Sequence, residues 1–428
     1  MAATDTHQAS LPRLLAGLSS GTLADLDYHY AVHGPLARNR ELAGSQIVDL
    51  VEQAGLRGRG GGAFPTARKL RAVRTARGGA VVVANGCESE PLSAKDALLV
   101  REVPHLVLDG AALAARAVGA DRVIVALNRS ATAERDALEL ALDQRRNASV
   151  DDVDFESFAA DDSFLSGQET ALVSQLNGGP PWPTFIPPRV TDRGVQKRPT
   201  LVQNVETLAN IALIARHGAG WYRAVGTDAE AGATLITLAG GVGVPGVYEV
   251  AYGTSLRDVL SAAHVHLPDV SGFLVGGYFG SWLPASLIGR LELSQRSLSD
   301  HGASLGCGVV FALPASSCPV AETVRIAAYL AAQSTGQCGP CIHGTAAIAD
   351  TLHSIEQGNA SRLAFADLMR WTLELPDRGA CHHPNGVARF VSTALHTFMA
   401  QFDDHARHGP CDACATAHTL DGPTRDWQ

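Results

Sequence analysis

Positive charge is scarce in this chain. Its 34 Lys and Arg are outnumbered by 43 Asp and Glu, leaving a formal net charge of −9. That balance argues against a nucleic-acid binder relying on phosphate neutralisation. Charged residues of both signs make up only 18%, against 46% hydrophobic, which is the composition of a chain that builds cores and does not stay disordered. The 43 Gly and 21 Pro carry no G-X-Y period, so a collagen-like chain is excluded. Long unbroken apolar runs are missing too. Ser271 to Gly289 and Gly302 to Ala321 are free of charge over about the length of a membrane span. Gly, Pro and Ser interrupt both, so they read as short buried strands and turns. The opening MAATDTHQAS lacks the basic patch and apolar run of a secretory signal. A soluble, cytoplasmic protein is the expectation.

At about 150 residues per domain, 428 residues suggest roughly three domains. ELAGSQIVDLVEQAG places Ile47, Leu50, Val51 and Ala54 on one helical face, with Gly55 as a stop. GAVVVANG is a short apolar run typical of a strand buried on both faces. LVLDGAALAARAVGA reads as a helix, DRVIVALN as a strand and ATAERDALELALDQRR as a helix, an alternation that predicts an α/β layer with mostly parallel strands. After about residue 228 the texture changes. ATLITLAGGVGVPGVYEVAYGT predicts two strands joined by a Gly/Pro turn, and SLRDVLSAAH a helix with Ser255 as N-cap, together a small β-grasp-like module. From Pro319, a good first helical residue, the pattern is helical again, with further helices from about Thr345, Ser361 and Val387. Four helices are enough for a small bundle. The boundaries expected are 1–45 for an N-terminal helical segment, 46–228 for the α/β domain, 229–314 for the β-grasp domain and 315–405 for the bundle. A polar tail, 406–428, follows.

Five of the eight cysteines fall after residue 330, a clustering that favours metal or iron–sulfur ligation over disulfides in a cytosolic chain. GLRGRGGGAFPTARKL, Gly55 to Leu70, lets backbone N–H groups approach a ligand closely just before a helix N-terminus. It is neither a P-loop nor a GxGxxG match. Arg57, Arg59, Arg68 and Lys69 add anion affinity. ANGCESEPLSAKD, Ala84 to Asp96, follows the buried strand directly, where ligands of open α/β sheets sit. Asn85 can donate and accept there, while Glu88 and Glu90 can accept ribose hydroxyls.

These two segments, followed by FLSGQETALVSQLNGG, IPPRVTDRGVQKRPTLVQNVETLANI and STGQCGPCIHG, resemble the NADH-oxidising flavoprotein subunit of respiratory complex I. The related diaphorase subunits of NAD-linked hydrogenases and formate dehydrogenases share the pattern. The likeness runs from about Thr22 to about Phe402, and two functional departures suggest a divergent paralogue. It implies a Rossmann-like FMN-binding domain, a β-grasp (SLBB-like) domain and a C-terminal helical bundle carrying an iron–sulfur motif.

Residue by residue, the resemblance implies FMN contacts at Gly58, Arg59, Gly60, Gly61, Lys69, Asn85, Glu88, Glu90 and Asn204, with Glu206 and Thr207 completing the last motif. Cys87 stands where the family has an aspartate. Nucleotide contacts are implied at Phe64, Lys69, Glu90, Gln168, Glu169 and Arg189. The family has two adjacent glutamates where this chain has Gln168 and Glu169, and aromatic residues at the positions of Ala72 and Arg189. Gln168 and Arg189 shift the charge in the direction that tolerates an adenosine 2′-phosphate, so NADPH is expected over NADH; a decayed nucleotide site is the equal alternative. Cys338, Cys341 and Cys381 match three family cluster ligands, and Thr335 replaces the first. A 3Fe–4S cluster is one expectation. A 4Fe–4S cluster with an outside ligand is the other: His343, His382, solvent, or Cys411 or Cys414 folding back. Taken by itself, the CxxC of Cys411 and Cys414 is half a metal site, a redox pair or nothing. Cys307 and Cys318 read as core thiols, and His382 and His383 as loop histidines.

The function implied is an FMN-dependent oxidoreductase. It would pass electrons from NADH or NADPH through FMN to an iron–sulfur cluster and a ferredoxin-like partner, at most peripheral to the inner face of the plasma membrane in an oxidoreductase complex. The alternative is an electron-transfer or assembly subunit that binds FMN without oxidising the nucleotide.

Overall fold

The computed structural model describes residues 11–18, 25–36 and 42–415. Most of the expected tail, 416–428, lies outside them. The first sheet contains β1 (Ala80–Asn85), β2 (Ala120–Asn128), β3 (Asp154–Ala160) and β4 (Thr200–Asn204), ordered β3-β2-β1-β4 and parallel throughout. The expected parallel α/β layer is present. Val81 and Val83 face one hydrophobic cluster, Val82 and Ala84 another, so β1 is buried on both faces, as its unbroken apolar run requires.

Helices Gly44–Ala54, Pro104–Val118 and Val205–Arg223 cover one face. Ile47, Val51 and Ala54 point into that core and Gly55, in the left-handed region at φ 73°, ends the first of these helices. Helix Glu169–Leu176 brings Leu172 and Val173 to the opposite face.

The second sheet holds β5 (Ala233–Gly240), β6 (Gly246–Ala251), β7 (Val270–Val275), β8 (Ser281–Pro284) and β9 (Val309–Pro314) in the order β6-β5-β9-β7-β8. β5 and β6 form the predicted antiparallel hairpin, and β9 lies between β5 and β7, parallel to the first and antiparallel to the second. Helix Leu256–Ala262 packs Leu256, Val259 and Leu260 on one face of this β-grasp sheet. Ser255 is its N-cap residue, although the hydroxyl does not close the cap. The two uncharged stretches supply β7, β8 and β9. Among the described residues no helix is long and apolar enough to cross a membrane.

The C-terminal part differs from expectation in detail. Helices Pro319–Ala332, Ala346–Glu356 and Ala364–Glu374 match three predicted segments. The fourth starts at His383, four residues before Val387, because Pro384 fits a first turn that needs no N–H from it. A fifth helix, Met399–His408, follows a break at Phe398. Leu274, Trp282 and Phe311 of the second sheet pack into the same core as Leu330, Leu352 and Phe390, so sheet and bundle share one interior.

Candidate active site

In the first sheet the chain leaves β1 toward β2 on one side and returns as β4 on the other. The carboxyl ends of β1 and β4 therefore flank a topological switch point, where a crevice opens in sheets of this kind. Asn85 and Asn204, the last residues of the two strands, are register partners there. A cleft of about 490 Å³ opens beside them, within the usual size of a cofactor pocket. Gly60, Gly61, Asn85, Glu88, Glu90, Gln168 and Asn204 all line it. The remaining expected residues, Gly58, Phe64, Lys69, Glu169 and Arg189, lie outside its lining.

Backbone contacts hold both asparagines in place. Asn85 accepts from the Cys87 N–H at 3.1 Å and donates to the Gly167 carbonyl at 2.8 Å. Asn204 caps helix Val205–Arg223 by accepting from the Glu206 N–H at 3.0 Å, and donates to Asp96 at 2.6 Å. Opposite them the glycine loop comes close. A side chain at Gly60 would meet the Asn204 Cβ at 3.3 Å, and Gly61, at φ 95°, faces the Gly306 backbone from the second sheet.

Beneath the cleft lies a buried ion network. Lys95 sits 2.7 Å from Asp96 and 2.9 Å from Glu206. Burial disfavours the Lys95 ammonium, but the carboxylates of Asp96, Glu206 and Glu88 outweigh it and hold the pKa above its ordinary value. Glu206 also accepts from Thr234 and from the Leu235 N–H, each at 3.0 Å. Arg59 borders the cleft, yet its guanidinium donates to Tyr252, to Tyr222 at 2.8 Å and to the Ala233 carbonyl at 3.1 Å. Its side chain is thus spent on joining the first sheet's loop to the second sheet, which qualifies the anion-binding role expected of it. Glu88 is similarly committed: it accepts from Ser93 and from the N–H groups of Asp96 and Ala97, capping helix Lys95–Glu102.

Glu90 is an acid lining the cleft. Burial pushes its carboxyl up to about 7, even though the Tyr278 and Leu92 N–H groups donate to it. Burial also pushes the Cys87 thiol up to about 12, so it faces the cleft uncharged. Cys307, expected in the core, lines the cleft. Cys318, the other expected core thiol, is buried but faces His405.

The nucleotide candidates divide into two groups. Gln168 reaches the cleft, and its amide oxygen caps helix Glu169–Leu176 through the Thr170 and Ala171 N–H groups at 2.8 and 2.9 Å. Lys69 donates to Glu169 and to the Val202 carbonyl, both at 2.7 Å. Phe64 is 45% exposed, with the Arg68 guanidinium 5.5 Å from its ring centre. Arg189 is exposed, in the proline-rich segment before β4. Trp182 and Phe185 of that segment are also exposed aromatics, and no sequence signal singled them out.

The three cysteines expected at a cluster lie in the bundle, and Cys381 among them reaches the cleft. Cys338 and Cys341 flank the start of a π-helical turn, Pro340–Thr345, and Cys381 precedes helix His383–Thr397. Burial raises the Cys341 thiol to about 12, with the neighbouring Cys338 and Cys381 adding to it. Cys338 and Cys381 therefore lie near enough to Cys341 to act on its thiol. Cys381, His382 and His383 also line the cleft, so one of the three expected ligands belongs to its wall. Phe164, Phe279 and His383 pack edge to face within it, with ring centres 4.9 and 5.4 Å apart for the two Phe279 pairs. His383 is a buried helix residue donating to the Leu330 carbonyl at 2.9 Å, which corrects its reading as a loop histidine. Thr335 accepts from the Gln337 side chain at 3.0 Å. Cys411 and Cys414 do not fold back to this site: they gather with Cys318 and His405.

Lys95, Asp96, Phe279 and Arg389 border the cleft without having been singled out from the sequence, and Cys307 was expected only in the core. Lys95 and Asp96 stand in the Ala84 to Asp96 motif and could have been found there. The others reach the cleft only through the docking of the second sheet and the bundle.

Residues 51–213 match the model of the Nuo51 FMN-binding domain, and residues 321–405 that of the NADH-ubiquinone oxidoreductase-F iron–sulfur binding region. A subunit of the NADH-quinone oxidoreductase of Rhizobium meliloti is 30% identical over 386 residues, covering 87% of this chain and 91% of that protein. The HndC subunit of the NADP-reducing hydrogenase of Solidesulfovibrio fructosivorans is 28% identical, covering 96% and 87%. A crystal structure of an NAD+-reducing [NiFe]-hydrogenase in the H2-reduced state superimposes with a TM-score of 0.81 at 32% identity; the match covers 88% of this chain and 66% of that one, just under two thirds. The chain belongs to the family of NADH-quinone oxidoreductase flavoproteins that join an FMN-binding domain to an iron–sulfur region.

Proposed function

We propose that the cleft at the β1/β4 switch point holds FMN, that a nicotinamide nucleotide enters it from the Gln168 side, and that Cys338, Cys341 and Cys381 hold the iron–sulfur cluster that takes the electrons. The observation that carries this reading is the shared wall: Cys381 lines a cofactor-sized cleft, and it acts together with Cys338 on the thiol of Cys341.

The residues fit a flavin mononucleotide. Gly60 and Gly61 bring bare backbone to the cleft, leaving room for a flat ring, and Asn85 and Asn204 supply amides fixed by the strand ends. Phe164, Leu165 and Phe279 give an apolar side. When bound, FMN supplies the exchange between hydride and single-electron transfer. The protein's part is to bind, orient and exclude water. Lys95, Asp96 and Glu206 keep the floor of the cleft rigid from below, because moving any of them weakens a buried ion network. Glu90, with its pKa near neutrality, can hold or release a proton at its carboxyl while facing a ribose hydroxyl.

Three thiols suit a cluster with one iron not held by cysteine. Thr335, in the position of the missing cysteine, lies three residues from Cys338. Gln168 carries no charge, and Arg189 is exposed in the segment that donates from Thr184 to Thr170 of the Gln168-capped helix. Both favour NADPH, the substrate we assign. A ferredoxin-like or other iron–sulfur protein is the partner that would take the electrons, within a cytoplasmic oxidoreductase assembly.

Anaerobic absorption spectra before and after each nucleotide test the proposal. Flavin bands should bleach with NADPH faster than with NADH. Bleaching with NADH alone overturns the NADPH assignment. Bands that resist both nucleotides and bleach only with dithionite overturn the dehydrogenase reading and leave a flavin relay.

A further inference from the structure

We propose that Cys318, His405, Cys411 and Cys414 form a closed zinc site, separate from the iron–sulfur region, that clamps the C-terminal segment onto the helical bundle. The four side chains come from three places: the residue before helix Pro319–Ala332, helix Met399–His408, and the short 3-10 turn Asp412–Ala415 with Cys411 just before it. Their ligand atoms all lie within 4.8 Å of one another. Cys318 Sγ is 3.4 Å from His405 Nε2, which is 3.3 Å from Cys414 Sγ, and Cys414 Sγ is 3.6 Å from Cys411 Sγ.

Those separations are the edges of a zinc tetrahedron. With Zn–S near ~2.3 Å and Zn–N near ~2.0 Å, tetrahedral angles put two sulfurs about 3.8 Å apart and sulfur and nitrogen about 3.5 Å apart. A Cys411–Cys414 disulfide would draw two sulfurs together to about 2.05 Å and leave Cys318 and His405 without a role.

The histidine is set in the ligating tautomer. His405 Nδ1 lies 2.8 Å from the Gln401 carbonyl, which can only accept, so Nδ1 carries the proton and Nε2 turns its lone pair to the sulfurs. His405 and Cys318 are 3% and 2% exposed, so the site's inner half is withdrawn from water. The Ala321 N–H, in the first turn of its helix, donates to Cys318 Sγ at 3.4 Å and fixes its direction. Arg325 donates to the Cys414 carbonyl at 2.8 Å and seats the tail against the same helix.

Four protein ligands with no open position define a structural site, and three sulfurs with one imidazole select zinc among common divalent ions. The site is distinct from the cluster. Cys318 precedes helix Pro319–Ala332 and the cluster loop follows it, which separates the two by roughly 21 Å of helix.

The test uses the full chain with its cofactors, purified without chelator and with any affinity tag removed. Elemental analysis should find about one zinc per chain beside the iron, and zinc-edge X-ray absorption should fit three sulfurs near ~2.3 Å and one nitrogen near ~2.0 Å. In the Cys411→Ser/Cys414→Ser double variant, zinc should fall at least tenfold while iron and flavin per chain stay unchanged. The absorption fit on the unaltered chain decides even if the variant fails to fold. Absence of zinc, a zinc shell of oxygen and nitrogen only, or iron bound by these four residues would each overturn the proposal. Full zinc retention in a folded double variant would also overturn it.

Discussion

Single side chains set the proton and charge balance of the cleft. Burial raises the Glu90 carboxyl from 4.5 to about 7, so the folded protein holds a proton there that the unfolded chain releases. Stability from this group is fully present below pH 4.5 and is lost as the pH rises through about 7. The thermal midpoint should therefore fall between pH 5 and 8. In Glu90→Gln that part of the slope should vanish, which scanning calorimetry across the range can read. Glu206 answers a different question. It is fully buried and is one of two carboxylates on Lys95, so Glu206→Leu removes half the countercharge of a buried ammonium and leaves the Thr234 hydroxyl and the Leu235 N–H without their acceptor. A loss of about 3–5 kcal/mol is expected from denaturant midpoints. Lys95→Met in the same background should restore little of it, because Asp96 then loses the ammonium 2.7 Å away.

At the level of helices and strands, close approach decides what is tolerated. Gly110 sits in helix Pro104–Val118 where it crosses helix Val205–Arg223, and a Cβ there would fall 1.8 Å from the Leu208 carbonyl oxygen. Gly110→Ala should improve helix propensity by about 1 kcal/mol and still lower stability, by roughly 1–3 kcal/mol or more, since neither backbone can yield cheaply. Urea unfolding checks the sign. Gln168 presents the reverse case. Its side-chain oxygen caps helix Glu169–Leu176, and a glutamate there would cap as well or better at a helix N-terminus. Gln168→Glu should leave stability unchanged or slightly raised. It should also cut the preference for NADPH over NADH about fivefold in kcat/KM, the effect of about 1 kcal/mol of charge repulsion. An unaltered preference would remove Gln168 from nucleotide selection.

The whole molecule is arranged around the meeting of two sheets and a bundle at one cleft. Thr335→Cys tests that arrangement through the cluster, because it restores the four-thiolate pattern at the loop bearing Cys338. Iron per chain should rise toward four, and the electron paramagnetic resonance of the oxidised protein should lose any 3Fe signal. Unchanged iron and spectrum would mean that residue 335 does not reach the cluster.

Much of this was legible in the chain itself. The apolar run of β1 allowed only a strand buried on both faces, and the spacing of Ile47, Val51 and Ala54 only a helix with one inward face. Such local patterns are read directly because the burial they need recurs every two or 3.6 residues. The glycine loop and Asn85 stand out as short motifs, whereas Asn204 and the cysteine trio were singled out only by what the family resemblance implies. The use of Arg59 and Glu88 was not legible: an arginine beside glycines and a glutamate after a strand look like ligand contacts until Tyr222, Tyr252 and the N-terminus of helix Lys95–Glu102 are seen to claim them. Nor could sequence join Cys318 to Cys414, because nothing in a spacing of that length fixes which loops the bundle brings together. Sequence alone determined the element types and the local donor sets, since both depend on neighbours in the chain. Only the tertiary structure decided which donors face the cleft, which stabilise the fold, and which thiols meet, since those depend on packing between segments far apart in sequence.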